Sequence, residues 1–175
     1  ARFKGKHHPV ERVSWDDAQV FLERLNAIPE IAAQNEKDGI CFQLPSESQW
    51  EYAARGGKDS GGFPYAGSHR LKEVGWYREN SHSATKPVGL KQPNELGLYD
   101  MNGNVWEWCA DHWHDNYEGA PSDGSAWLED NKETAGRVVR GGSWYDSNFN
   151  CRVSSRSNDD RNIRSDLVGF RFARY

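Results

Sequence analysis

The 175-residue sequence has one methionine, three cysteines and no long apolar run. A membrane-crossing helix needs about 18 or more consecutive apolar residues, so none is expected. Cys41, Cys109 and Cys151 lie far apart without the CxxC spacing of a zinc or redox site, and an odd count leaves at least one thiol free. Unpaired cysteines of this kind usually serve as small buried residues. Positive charge is also short: 22 Lys and Arg against 26 Asp and Glu give a net charge of -4, with the basic residues scattered. That excludes the basic footprint of a nucleic-acid binder, and nucleic acid is not an expected partner. The histidines 7, 8, 69, 82, 112 and 114 lack the helical spacing of metal ligands, and the His112-x-His114 pair reads as solvent-facing. No charged-then-apolar leader opens the chain, so membrane attachment is expected only through a leader or anchor outside it.

A second absence is local. Lys, Glu, Gln, Met and Trp together supply 35 of the 175 residues, yet none occurs between Tyr145 and Val168. Asn, Asp and Ser are abundant there, as in any polar loop whose side chains bond their own backbone. The genetic code offers a sharper cause. An asparagine codon whose two adenines are replaced by any base reaches fifteen amino acids, and the five it cannot reach are the five missing. Four arginines balance four aspartates in the segment, so charge gives no hint of a ligand.

What is present supports one domain spanning residues 1–175, with eight Trp, seven Tyr and seven Phe carrying much of the burial. Ser14 and Asp17 form a capping box for a helix whose apolar face is Ala18, Phe21, Leu22 and Leu25. Ser46 and Gln49 cap a second, with Pro45 before it, Trp50 and Ala53 or Ala54 facing inward, and Gly56-Gly57 ending it. Strands are expected at Val105 to Cys109, Arg137 to Arg140 and Gly169 to Ala173, with His112 to Glu133 as a surface insertion and much of the rest coil. The alternation Trp106-Glu107-Trp108 puts two indoles together on the core face of a strand and a carboxylate on the other.

Several motifs taken together resemble one family: QLPSESQWEYAARGG (43–57), KPVGLKQPNELGLYDMNGNVWEWCAD (86–111), RVVRGGSW (137–144) and GFRFAR (169–174). In this order they resemble the formylglycine-generating, or sulfatase-modifying-factor, domain, and PVERVSWDDAQVF (9–21) resembles its upstream helix signature. The resemblance implies an α+β, C-type lectin-like fold of the formylglycine-generating variant, with two helices, short antiparallel strands and much coil. Domains of the family usually start with further strands upstream. The resemblance also implies a structural calcium on DMNGNVWE, held by the Asp100 side chain, the Gly103 and Val105 carbonyls and the Glu107 carboxylate, a donor set that suits a hard cation. A tight Asn-Gly turn with Glu107 bonded to backbone groups is the alternative for the same residues.

Enzymes of the family oxidise a substrate cysteine with two cysteines of their own that bind copper(I), a metal that favours paired thiolates. Here the first slot is Asp146, only Cys151 carries sulfur, and the family's active-site Asn falls at Leu167, so no copper is expected. A branch resembles the chain more closely: the variable proteins of diversity-generating retroelements, of the Treponema variable-protein type, in which adenine-directed copying rewrites asparagine codons between GGSW and GFR. That likeness implies a non-enzymatic module displaying residues 145–168 to a protein or glycan partner, on a bacterial cell surface or outside the cell. Tyr145 and Phe149 are the expected aromatic anchors. Asp146, Asn148, Asn150, Ser155, Ser157, Asn158, Asp159, Asn162, Ile163, Ser165, Asp166 and Leu167 complete the expected binding set, while Cys151, Arg152, Arg156 and Arg161 are expected to hold the frame. A formylglycine-generating or related metal-dependent oxidising enzyme is the alternative reading.

Overall fold

The two capping boxes form as the sequence indicates. Ser14 Oγ accepts from the Asp17 amide while the Asp17 carboxylate accepts from the Ser14 amide, starting α1 (Trp15–Asn26). Ser46 and Gln49 do the same for the helix Glu47–Ala54, which ends at two glycines with positive φ. A further helix, Pro29–Asp38, lies between them and was not expected from hydrophobic periodicity. Its signals are at its ends, a proline in the first turn and Gly39 closing it at φ 70, and it buries no residue, so no apolar stripe announces it. With Pro29–Asp38 as α2, Glu47–Ala54 as α3 and the single turn Leu71–Val74 as α4, the described residues hold four α-helices where two were expected.

The computed structural model describes residues 1–129 and 136–175. Its strands are short: β1 (Phe42–Gln43), β2 (Gly75–Trp76), β3 (Asn102–Gly103), β4 (Trp106–His112), β5 (Arg137–Arg140), β6 (Arg156–Asp159), β7 (Val168–Gly169) and β8 (Ala173–Arg174). The main sheet has the order β6-β5-β4-β7. Pairing is antiparallel between β4 and β5 and between β5 and β6, but parallel between β4 and β7, and β2 with β3 is parallel too, so the sheets are mixed rather than wholly antiparallel. The expected strand Gly169 to Ala173 is two strands: β7 joins the main sheet, and β8 crosses to pair with β1. Close approach fixes that crossing, because a Cβ on Gly169 would lie 2.2 Å from the Val10 carbonyl oxygen. β6 was not expected either and falls inside the biased segment.

β4 divides the core by its two-residue period. Trp106, Trp108 and Ala110 join Ala18 and Leu22 of α1, Leu44, Val139 and Val168 on one side. Cys109 joins Trp50 and Ala54 of α3, Met101, Val138 and Val153 on the other. The two indoles share the α1 side as expected but point their N–H groups apart, Trp108 to the Val13 carbonyl and Trp106 to Asp146. β4 runs on to His112, which pairs with Arg137 and is buried, so the expectation of a solvent-facing His112 fails. His112 Nδ1 accepts from the Glu129 amide, and burial lowers its pKa. The expected insertion therefore begins inside the fold: Trp113 packs on the α3-side core and Trp127 stacks on His114 at 3.6 Å. Residues 130–133 of that stretch lie outside the described residues.

Two substitutions grade these elements. Trp108→Ala, at a fully buried indole, should cost about 3–5 kcal/mol in denaturant unfolding. Ser46→Ala should cost about 1 kcal/mol through loss of the cap. Equal stabilities for Trp108→Ala and the parent chain would overturn this assignment of the core.

Candidate functional site

The biased segment begins where two glycines let the chain fold tightly. Gly141 and Gly142 both have positive φ, and a Cβ on Gly142 would meet Cys151 Sγ at 2.6 Å. Cys151 is fully buried, and desolvation pushes its thiol up to about 12, far from the thiolate a soft metal needs. Asp146, in the slot of the other thiolate, is a junction of the local backbone. Its Oδ2 accepts from the Ser143 amide at 3.0 Å, the Ser143 hydroxyl and the Trp106 indole at 2.9 Å, and Oδ1 accepts from Asn150 at 2.9 Å. The pair of positions that would bind copper thus holds one buried thiol and one carboxylate with four donors.

Arginines lock the segment to the scaffold. Arg156 binds Glu47 in bidentate fashion, Nε to Oε1 at 2.6 Å and Nη2 to Oε2 at 2.7 Å, with its guanidinium over the Trp113 and Tyr117 rings. The same Glu47 carboxylate takes Arg140 Nη1 at 3.1 Å, and Arg140, fully buried, also reaches Glu51 and the Val153 carbonyl. Burial and the neighbouring Glu47 push the Tyr117 phenol up to about 12. Arg161 binds Asp16 at the start of α1 and lies over the Trp15 ring, which Arg137 also covers at 3.9 Å; burial, then the charge of Arg161, lowers Arg137 to about 10. Arg152 donates to the Phe149 carbonyl and covers the Phe149 ring at 3.8 Å. The framework role expected of Arg152, Arg156 and Arg161 thus has named acceptors. Glu47 and Arg140 were missed; the charges at the first position of α3 and at the end of the RVVR strand β5 were the available signals.

The expected binding residues divide into two groups. Tyr145, Asn148, Phe149, Asn158, Asn162 and Ile163 are exposed, Phe149 at 63%. Ser155, Ser157 and Asp159 are half-buried on or beside β6, and the Ser155 hydroxyl bonds the Phe149 carbonyl. Asp146, Asn150, Ser165, Asp166 and Leu167 are engaged with the fold. The Ser165 carbonyl accepts the Arg12 amide, the Asp166 carbonyl accepts the Trp144 indole, and Leu167 packs on the α1-side core. Ser154, Asp160 and Arg164, left out of the expected set, are exposed alongside the first group. Arg78, from outside the segment, covers the Tyr145 ring at 5.1 Å and donates to its carbonyl.

The turn that resembles a calcium site lies elsewhere, around a pocket lined by Asp100, Gly103, Val105 and Glu107. Glu107 does not bond backbone groups. It takes Arg171 at 2.6 and 2.7 Å on its two oxygens and the Trp50 indole at 2.7 Å. Asp100 Oδ2 accepts the Gly89 amide, and Oδ1 is buried without a partner. Among the described residues no group of three or more His, Cys, Asp or Glu could hold a metal. The four residues bring two carboxylates and two backbone carbonyls to one pocket, with Arg171 on Glu107 and Asp100 Oδ1 left unengaged, oxygen donors of the kind a hard cation takes.

Three measurements follow from this geometry. Glu47→Ala removes the carboxylate that half-buried Arg156 binds and one of the two that fully buried Arg140 binds, Glu51 being the other, and should cost about 3 kcal/mol, against about 0.5 kcal/mol or less for Asn148→Ala; equal losses would contradict the division. With Cys109 and Cys151 buried, a thiol reagent at mild alkaline pH should label Cys41 alone in the folded chain and all three cysteines after unfolding. Asp17 is held near 2, first by its hydrogen bonds from Arg164, against an ordinary 3.8, so the unfolded chain binds that proton more readily. Its contribution is complete above pH 3.8 and lost as pH falls towards 2, and Arg164→Ala should flatten that limb of an acid-unfolding curve. The pair is exposed and screened, so the change in slope is small.

The whole chain, residues 2–175, matches the sulfatase-modifying factor enzyme 1-like domain family. Among curated relatives it is 33% identical to the chaperone protein LppX of Paenibacillus barcinonensis, over 98% of this chain and 71% of that protein. It is 32% identical to the formylglycine-generating enzyme of Thermomonospora curvata, over 95% of this chain and 55% of that one. Other relatives include proteins named inactive formylglycine-generating enzymes, and the chain spans about half the length of several of them. Among solved structures it superposes on Treponema denticola variable protein 1 with a TM-score of 0.78 at 30% identity, covering 97% of this chain and 72% of that one. The α+β architecture is the formylglycine-generating variant of the C-type lectin-like fold. The chain belongs to the sulfatase-modifying factor enzyme 1-like family.

Proposed function

We propose that the chain is a non-enzymatic binding module that presents the exposed residues of segment 145–168 to a protein or glycan partner. One observation carries the reading: within a single segment, exposed polar and aromatic residues alternate with residues bonded into the scaffold. Tyr145, Asn148 and Phe149 stand out around a buried Cys151 and Val153; Asn158, Asn162 and Ile163 stand out around Arg156 and Arg161, which are bound to Glu47 and Asp16. Such a division lets display positions change without loss of packing. Rigid aromatic anchors beside adaptable Asn, Asp and Ser are the composition of a paratope. Similarity to a Treponema variable protein supports diversification of these positions, and display on a cell surface or outside the cell suits it.

The oxidising-enzyme reading draws support from the formylglycine-generating relatives. Against it stand Asp146 in place of a thiolate, with its carboxylate occupied by four donors, and a Cys151 closed off from substrate. Randomising codons 145, 148, 149, 158, 162 and 163 separates the two. Most library members should fold with melting temperatures within about 5 °C of the parent, and panning against cell-surface proteins and glycans should enrich sequences at those positions. A library that largely fails to fold, or copper(I)-dependent oxidation of a cysteine peptide by the parent chain that Cys151→Ser abolishes, would end the display reading.

A further inference from the structure

Two arginines meet the exposed rings of the display segment in the same pose. Arg78 Nε donates to the Tyr145 carbonyl at 2.8 Å while its guanidinium lies 5.1 Å from the centre of the Tyr145 ring. Arg152 Nε donates to the Phe149 carbonyl at 3.2 Å while its guanidinium lies 3.8 Å from the centre of the Phe149 ring. Each guanidinium is thus held by one nitrogen and by the ring, and among the described residues its two Nη groups have no hydrogen bond or ion pair. Folding also upsets the balance of four arginines against four aspartates along the segment. Arg156, Arg161 and Arg164 are paired with Glu47, Asp16 and Asp17 outside it. Asp146 is filled by four donors, Asp166 takes Arg2, and Asp159 and Asp160 lie at and beyond the far end of β6. Arg152 is left without a carboxylate, and so is Arg78, whose neighbour Glu79 accepts the Tyr77 hydroxyl instead.

We propose that the Tyr145–Arg152 end of the display surface, completed by Arg78 from the scaffold, docks on a protein surface where carboxylates stand beside apolar side chains. The proposal rests on the display reading and adds the chemistry of the partner. A guanidinium stacked on a ring keeps its Nη edge free, and that planar edge matches a carboxylate in paired hydrogen bonds. The rings, 56% exposed at Tyr145 and 63% at Phe149, offer apolar area beside each charge. Aromatic residues and arginine together are the side chains that carry most energy at protein–protein contacts. A neutral glycan leaves both guanidiniums without a counter-charge and meets rings already covered on one face. An acidic glycan supplies the charge but not the apolar contact.

The test is selection of a phage-displayed random peptide library on the intact chain, followed by affinity measurements on the selected peptides. These peptides should be enriched in Asp or Glu next to large apolar residues. The double substitution Arg78→Gln with Arg152→Gln, at positions outside the core, should weaken their binding about tenfold or more. Replacing the carboxylates of the peptide by amides should do the same and leaves the protein unchanged, so it decides the matter should the double variant fail to fold. Raising salt from about 50 to about 500 mM should weaken binding to the parent chain far more than to the double variant. Failure to enrich any peptide, peptides without acidic enrichment, or affinities that neither set of substitutions changes would each overturn the proposal. So would a sulfated heparin fragment that displaces the peptides and binds more tightly than they do, in favour of an acidic glycan. Peptides that ignore both arginines but lose affinity on Tyr145→Ser or Phe149→Ser sink the chemistry of the partner alone, whereas peptides indifferent to every exposed residue of segment 145–168 end the display reading as well.

Discussion

The carboxylate of Glu47 is the point on which the site depends. It is almost closed to water and is shared by two guanidiniums, Arg140 of β5 and Arg156 of β6, while the Tyr117 hydroxyl donates to it from the insertion. Alone, a buried charge would cost several kcal/mol; the partners offset that cost only because each is held in place by packing. Glu47 opens α3, its own amide accepted by Asp111, so the pairing ties helix, sheet and insertion together. β6, the outer strand of the sheet, is held from the scaffold side by Arg156 and by its register with β5. A segment with few apolar side chains thus acquires a fixed backbone.

That arrangement explains how a segment of turn-forming composition can have a defined shape without a hydrophobic core of its own. Buried apolar residues in it are few: Cys151, Val153 and Val168, with Leu167 partly covered. The rest of the order is polar, from Asp146 gathering donors around the GGSW turn and from Arg161 and Arg164 on Asp16 and Asp17 at the head of α1. Exposed side chains between these anchors contribute little to stability, and that freedom is what a display surface needs.

The family supplies one scaffold to proteins with different chemistry, so the fold alone does not decide the activity. In this chain the side chains that bear on the choice between binding module and oxidising enzyme are few. A carboxylate with four hydrogen-bond donors stands where a metal-binding thiolate would, and the remaining thiol is packed against Gly142.

Much of the fold was legible in the sequence wherever a local pattern had a local cause. Both capping boxes, the inward Trp50 and Ala54, the Trp106-Glu107-Trp108 alternation of β4 and the strand β5 were read correctly because caps and periods are set by neighbours a few residues apart. α2 escaped because it buries nothing, and β6 because a strand of Arg, Ser, Asn and Asp has no β signature apart from its partner. The sequence also delimited the biased segment and picked out Arg152, Arg156 and Arg161 as framework residues, but not Arg164, whose partner Asp17 lies far away in the chain. Only the tertiary structure decided which aspartates and asparagines face solvent and which serve the frame. Asp146 and Asn148 have similar propensities, but the indole of Trp106, forty residues away, reaches one of them and not the other. Long-range hydrogen bonds, which no local pattern records, made that division.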